Sequence, residues 1–336
     1  MPATARSLVV LLAAWTGLAA GGAPAAPAAD DANGRELRAW LQRVHDAAVH
    51  SNYVGTLVNW AGGTVTSNRV AHYLDAQREL ERVDALDGES RGMLRVGDQV
   101  RTVWPKERVA IMEPRDPRAT FPALVSGGEQ RIPEFYELRS LPPERVAGHD
   151  AERMLLHARD HLRFDQMIWT DRASGLLLRV DTQNDGHTIE SSAFSEVSIG
   201  VRPQPEVVLA ALRQSEGYRQ MRPGVERTRL DAEGWQLNGP LPAGFQPLGC
   251  VRRALPVNGP AGGDVRMLQA IFTDGLTHVS VFIEPYAPQR HKAAGLTVIG
   301  ATHTLMRRSG DDWLTAVGDV PPPTLEKFLL LMERRK

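Results

Sequence analysis

In the segment NGRELRAWLQRVHDAAVH, apolar residues recur at Leu37, Trp40, Leu41, Val44 and Ala48. This three-and-four spacing places them on one face of an α-helix. Asn33, followed three residues later by Glu36, has the form of a capping box, so a helix is expected from about Gly34 to His50. From Tyr53 the period falls to two. YVGTLVNW, RVAHYL, ELERVDALDG, GMLRVGDQVRTVW and RVAIM are short alternating runs, and AERMLLHAR, HLRFDQMIWTD, GLLLRVDTQ and HTIESSAFSEVSI continue them. Strands at this spacing, broken by Gly- and Asp-containing turns, form an antiparallel meander. In HLRFDQMIW, Leu162, Phe164 and Ile168 alternate with Arg163, Asp165 and Met167, which predicts one apolar and one mixed face. A sheet solvated on one side covers its other face with helices or leaves it hollow. The pattern lapses in FPALVSGGEQRIPEFYEL, which reads as a helix or loop crossing with Phe121, Leu124, Phe135 and Tyr136 as lining or core.

The alternation ends near Val201. RPQPEVVLAALRQSEGYRQMRPG then reads as a short helix inside a Pro- and Arg-rich connector. Strands resume at about Gln246 to Arg252 and Asp264 to Phe272, with a further strand from Leu276 to Glu284. Asp274 and Gly275 stand between the last two, and such a pair predicts a tight turn with φ > 0 at both positions. GLTVIGATHTLMRR and WLTAVGDV give two more strand-like runs around an SGDD turn. The closing PPPTLEKFLLLMERRK sets Leu325, Phe328, Leu329 and Met332 on one helical face, with Thr324 as N-cap and basic residues in the last turn. The expected organisation is an α+β chain: a large antiparallel sheet domain over 34–202, a connector over 203–230, and a small sheet with a terminal helix over 231–333.

Residues 1–25 are set apart from the fold. Arg6, the apolar run Leu8–Ala20 and the sequence Ala23-Pro24-Ala25 match the three parts of a secretory signal peptide. The run falls short of the ~20 residues of a spanning helix. An exported protein follows as the expectation. Its formal charge of −1 in the whole chain argues against nucleic acid as a partner, because phosphate binding needs a basic surface. Cys250 is the only cysteine, so no internal disulfide holds the chain together and apolar burial must do so.

Candidate chemistry is sparse. The ten histidines lack metal-ligand spacing: His45 and His50, five apart, lie on different helical faces. The chain has no GxSxG elbow, HExxH, Walker loop or GxGxxG after a strand. No catalytic set, metal or cofactor is therefore assigned. Trp104, Trp169 and Trp235 fit gaps between sheet and helix better than a stacking site.

The order of these segments resembles the RseB/MucB family. NYVGTLVNWAGGTVTSNRVAHYLD through TVWP, and ERVAGHDAERMLLHARDHLRFDQMIWTD through AFSEVSI, are similar to its N-terminal domain. WQLNGPLPAGF, IFTDGLTHVSVFIE and TAVGDVPPPTLEKFLLLM are similar to its C-terminal domain. The resemblance implies a periplasmic regulator of the sigma-E envelope-stress response, built from a LolA/LolB-like half-barrel with helices in its concavity and a small sheet domain. It implies binding to the periplasmic domain of the anti-sigma factor RseA/MucA, shielding of that factor from the protease DegS, and release by a lipid-like signal such as lipopolysaccharide or a lipidated protein. It is compatible with a homo-oligomer. Lipid-contact candidates are Trp60, Trp104, Phe121, Leu124, Phe135 and Tyr136. Partner-contact candidates are Arg213, Arg219, Arg222, Thr277 and His278. A lipid or lipoprotein carrier of the LolA/LolB type is the rival reading; it shares the leader and half-barrel and has no need of a second domain.

Overall fold

The computed structural model describes residues 29–76, 78–114, 131–222, 224–257 and 263–335. The expected leader, Phe121 and Leu124 lie outside them. The first helix, α1 (Ala29–His50), starts before the expected position. Asn33 sits inside it and does not cap it. Its side chain pairs with the edge of the sheet instead: Nδ2 donates to the Leu138 carbonyl at 2.8 Å, and Oδ1 accepts from the Leu138 N–H at 3.2 Å. A carboxamide sets N–H donors beside a carbonyl acceptor, as a peptide edge does, which suits it to this second use.

Six strands follow as a meander: β1 (Tyr53–Ala61), β2 (Thr64–Asp75), β3 (Arg78–Ala85), β4 (Gly92–Val96), β5 (Gln99–Trp104) and β6 (Val109–Pro114). A single helical turn, α2 (Ile132–Phe135), leads into a second meander of β7 (Tyr136–Val146), β8 (His149–Ala158), β9 (Asp165–Asp171), β10 (Leu177–Asn184) and β11 (His187–Ile199). The stretch expected to cross as helix or loop thus becomes strand at Tyr136. Strand β1 pairs with β11 and joins the two meanders. After α3 (Pro205–Ser215), β12 (Arg219–Met221) adds to the outer edge of β6, the one parallel pair in this sheet. The twelve strands run β12-β6-β5-β4-β3-β2-β1-β11-β10-β9-β8-β7. The edge strands β12 and β7 do not pair with each other, so the sheet is an unclosed half-barrel.

Helices cover its faces. Leu37, Trp40, Leu41 and Val44 of α1 are buried against Leu138, Met154, Leu156, Ile168 and Leu177 of β7–β10. On α3, Val208 packs on Tyr73 and Leu80, and Leu212 on Leu94 and Val103. Each such burial contributes roughly 1.5–3 kcal/mol. Much of the stretch expected to be a connector therefore belongs to the large sheet. Charges are also buried here: Arg95 bonds Glu79 and Glu81, beside the stacked rings of Tyr53 and His72 at 5.0 Å.

The second sheet takes β13 (Val225–Arg227), β15 (Gln246–Val257), β16 (Gly263–Thr273), β17 (His278–Pro285), β20 (Asp312–Gly318), β19 (Thr302–Ser309) and β18 (Gly295–Ile299), in that order across it. The run GLTVIGATHTLMRR is thus two strands folded at Gly300 and Ala301. Leu268, Ala270, Phe272, Val279, Val281, Ile283, Leu314 and Ala316 alternate inward onto Leu325, Phe328 and Leu329 of α4 (Pro322–Leu331). The basic tail does not finish this helix. Met332–Arg334 leaves it as β21 and pairs with β14 (Trp235–Leu237).

Candidate partner-binding site at the domain junction

The turn TDGL at the head of the β16–β17 hairpin reaches the large domain. Strand pairing stops at Thr273 and His278, which leaves a four-residue loop. Only Gly275 takes positive φ, at 103°, so the expected two-residue turn is not formed. Asp274 organises the loop through its side chain: Oδ1 accepts from the N–H groups of Leu276 and Thr277 at 3.0 and 2.8 Å. This is an Asx-type turn, in which a side-chain oxygen replaces a backbone acceptor.

The other oxygen of that carboxylate serves the large domain. Asp274 Oδ2 accepts from Arg163 Nε at 2.7 Å and from the Tyr136 hydroxyl at 3.0 Å. The side chains of Arg163 and Asp274 are both 0% exposed. Arg163 was expected on the mixed face of a strand, but it precedes β9 and is the buried cation of the junction. Its other nitrogens donate to Asp160 and to the Ala243 carbonyl, and its guanidinium lies over Phe135 and Phe245, 4.6 and 5.1 Å from the ring centroids. Burial pulls the guanidinium down, and Asp274, Tyr136 and Asp160 together outweigh it, so its pKa stands raised. Burial, then the same carboxylate, pushes the Tyr136 hydroxyl well above the usual phenol value. Thr324 adds a contact. It lies inside α4, whose N-cap is Pro321, and its hydroxyl donates to the Leu162 carbonyl at 2.8 Å.

A second contact joins the domains. Glu190 of β11 accepts from the Ala301 N–H at 3.0 Å. Gly300, at φ 60°, packs so close that an added Cβ would come within 2.8 Å of Ala61 Cβ. A third is the Arg253–Glu113 ion pair at 3.7 Å.

Between the second and third contacts lies a recess of about 540 Å³ on the small sheet's other face. Arg253 and Gln269 stand at one end, Thr302 and Asp319 at the other, with His278 and Phe282 also on the wall. Buried Gln269 accepts from Arg253 at 2.7 Å and donates to Ser280 at 3.2 Å. Such a wall offers hydrogen-bonding groups beside apolar ones. Among the described residues no group of three or more His, Cys, Asp or Glu could hold a metal. No helix among them is long and apolar enough to cross a membrane.

The structure disperses the partner-contact candidates. His278 lines the recess, and Thr277 lies beside it with its hydroxyl on the Asp319 carbonyl at 3.2 Å. Arg213 on α3 bonds Glu206 at 2.6 Å. Arg219 is on β12, and Arg222 is exposed just after it. Among the lipid-contact candidates, Phe135 and Tyr136 come together at the Arg163 junction. Trp60 is partly exposed on β1 and Trp104 lies on β5. A recess of about 520 Å³ between α1 and β7–β8 is lined instead by Trp40, Leu141, Pro143 and Met154 with Arg43 and Arg153. Sequence reading missed Arg163, Asp160 and Glu190 as junction residues. A long-range ion pair leaves no periodic signal; Asp274 was visible only as a turn residue.

An open half-barrel locked to a small sheet domain, with a mixed recess at the seam, defines a two-domain binding protein. The model of the MucB/RseB N-terminal domain matches residues 36–214 and that of the MucB/RseB C-terminal domain matches 229–333. The chain belongs to the MucB/RseB family, whose members are regulatory binding proteins and not enzymes. It is 26% identical over 315 residues to the sigma factor AlgU regulatory protein MucB of Pseudomonas aeruginosa, covering 91% of this chain and 92% of that one. It is 24% identical over 293 residues to the sigma-E factor regulatory protein RseB of Escherichia coli K12, covering 86% and 88%. The complex structure of P. aeruginosa MucA/MucB has the same fold, with a TM-score of 0.65 at 22% identity over 90% of this chain and 99% of that one.

Proposed function

We propose that this protein is a periplasmic negative regulator of a sigma-E-type envelope-stress response, and that it binds the periplasmic domain of the anti-sigma factor. The observation that carries the reading is the seam itself. Three separate contacts set the two domains against each other and leave the mixed face of the small sheet open between them, as a site for a peptide requires. The MucA/MucB complex formed by its relative supports the same partner class. Binding would cover the cleavage site of the anti-sigma factor and so deny it to the site-1 protease DegS. Release by lipopolysaccharide or another lipid-like signal needs a ligand with higher affinity for the unoccupied protein, since equal affinity for both forms shifts nothing.

The test mixes the mature protein with the periplasmic fragment of the cell's anti-sigma factor and adds the site-1 protease. Binding and slower cleavage are expected. Cleavage at the unprotected rate, with no complex detected, overturns the reading. A lipid carrier would instead take up acyl chains with no need for the small domain, and removal of 231–333 separates the two.

A further inference from the structure

Four strand edges terminate the two large sheets, and three are blunted. Strands β12 and β13 are three residues long. Strand β7 carries Pro142 and Pro143 and a register break, and Asn33 satisfies its Leu138 backbone. The fourth, β18, has none of these protections. Its sequence Gly-Leu-Thr-Val-Ile contains no proline and no charge, and among the described residues no strand pairs with its outer side. Leu296, Val298 and Ile299 are 45%, 52% and 61% exposed. A bare, apolar edge of this kind invites another strand.

The register identifies which main-chain groups are free. Strands β18 and β19 meet through the two-residue turn Gly300-Ala301, with Ile299 opposite Thr302. The pair flanking a two-residue turn is hydrogen-bonded, and bonded and non-bonded pairs alternate along an antiparallel ladder. Ile299 and Thr297 therefore bond inward to β19, while the N–H and C=O groups of Leu296 and Val298 point outward. The apolar rim continues onto the large domain. An added Cβ on Gly62 would lie 3.2 Å from Ile299, and the same hairpin carries exposed Trp60 paired with exposed Val65.

We infer that β18 receives an extended segment of the anti-sigma factor as an added strand, in the manner of β-augmentation. This rests on the reading of the partner given above. A second copy of the chain fits less well. Five residues span about 17 Å, and pairing them covers far less than the ~800 Å² per partner of a stable interface. A peptide that also fills the seam recess adds this edge to other contacts. Charge gives the segment a polarity. Lys292 is exposed at the Gly295 end, whereas at the Ile299 end Glu190 and Asp319 are engaged with Ala301 and Thr302. The segment therefore alternates apolar residues and carries acidic ones where it passes Lys292.

Proline tests this directly, because at an outward position it removes only the N–H offered to the guest strand. In the mature protein, Leu296→Pro and Val298→Pro should weaken binding of the periplasmic anti-sigma fragment by roughly tenfold each, with unchanged circular dichroism and melting. Lys292→Glu should weaken it by a few fold and reduce its salt dependence. Hydrogen exchange provides an independent readout: the Leu296 and Val298 amides should gain protection in the complex. Full affinity in both proline variants with no added protection overturns the inference and leaves the regulator reading intact. Loss of self-association instead, at unchanged fragment affinity, assigns the edge to a second copy and also overturns it. No binding by the unsubstituted protein overturns both.

Discussion

Asp274 and Glu190 each carry a carboxylate from one domain to the other, and their surroundings are opposite. Asp274 is fully buried and meets a guanidinium, a phenol and two backbone N–H groups of its own turn. Glu190 is half-buried and accepts one backbone N–H. Burial is the largest influence on it and raises its carboxyl pKa. The first contact supplies enough donors to hold a charge in the interior. The second does not, and its charge is tolerated more than used. A junction built this way has a fixed point at Arg163 and a weaker clasp at Glu190.

The largest effect expected is from Asp274→Ala. It leaves the Arg163 guanidinium buried without its main counter-charge, at a cost of about 3–5 kcal/mol. Chemical denaturation measures it, and a midpoint equal to that of the parent protein would remove the distinction between the two contacts. Each contact also has a wedge position. Gly244, at φ 87°, has Phe135 within 2.8 Å of where a Cβ would stand, beside Arg163. Gly244→Ala should cost about 2–3 kcal/mol from left-handed strain and overpacking. Gly300→Ala at the clasp should cost about 1–2 kcal/mol for the same reasons and raise the radius of gyration in X-ray scattering. If Gly300→Ala proved costlier than Gly244→Ala, the ranking of the contacts would be reversed.

The smallest effect is the most diagnostic. With its folded pKa raised above the ordinary carboxylate value, Glu190 binds its proton more tightly in the native state than in the unfolded one. Its favourable contribution is complete in acid and is lost as pH rises through the raised pKa. Glu190→Gln retains an acceptor for Ala301 and removes the charge. At neutral pH the variant should equal or slightly exceed the parent, and the gap should close on acidification. Stability curves of both proteins from acid to neutral pH check this; a variant that loses stability at neutral pH contradicts the assignment.

Much of the architecture was legible because it is periodic. Alternation marked most of the longer strands, though not β7 or the three-residue strands β12, β13, β14 and β21, and the three-and-four spacing of Leu37 to Val44 marked α1. Errors fell where a polar side chain serves a distant partner. Asn33 and Thr324 have the composition of helix caps, yet each bonds a carbonyl of another element, at Leu138 and Leu162. Asp274 and Gly275 have the composition of a tight hairpin, and the demand of Arg163 for a carboxylate accompanies a longer loop. The fold of GLTVIGATHT into β18 and β19 rested on Gly300, a single residue inside an otherwise continuous run. The seam itself depends on tertiary placement: residues 111 and 138 positions apart meet at Asp274, and no local pattern encodes that.

The covalent passage between the domains has its own mechanical consequence. Strand β12 ends at Met221 on the edge of the large sheet, and β13 begins at Val225 on the edge of the small one. The intervening leash is short and anchored at both ends by three-residue ladders. Its working length is therefore adjustable. Peeling β12 and β13 from their sheets frees six more residues, roughly 20 Å of reach at ~3.3–3.6 Å each, and leaves both cores untouched. The covalent link therefore sets no tight limit on the separation of the domains, which the buried Arg163–Asp274 junction, the Glu190 clasp and the Arg253–Glu113 pair hold together.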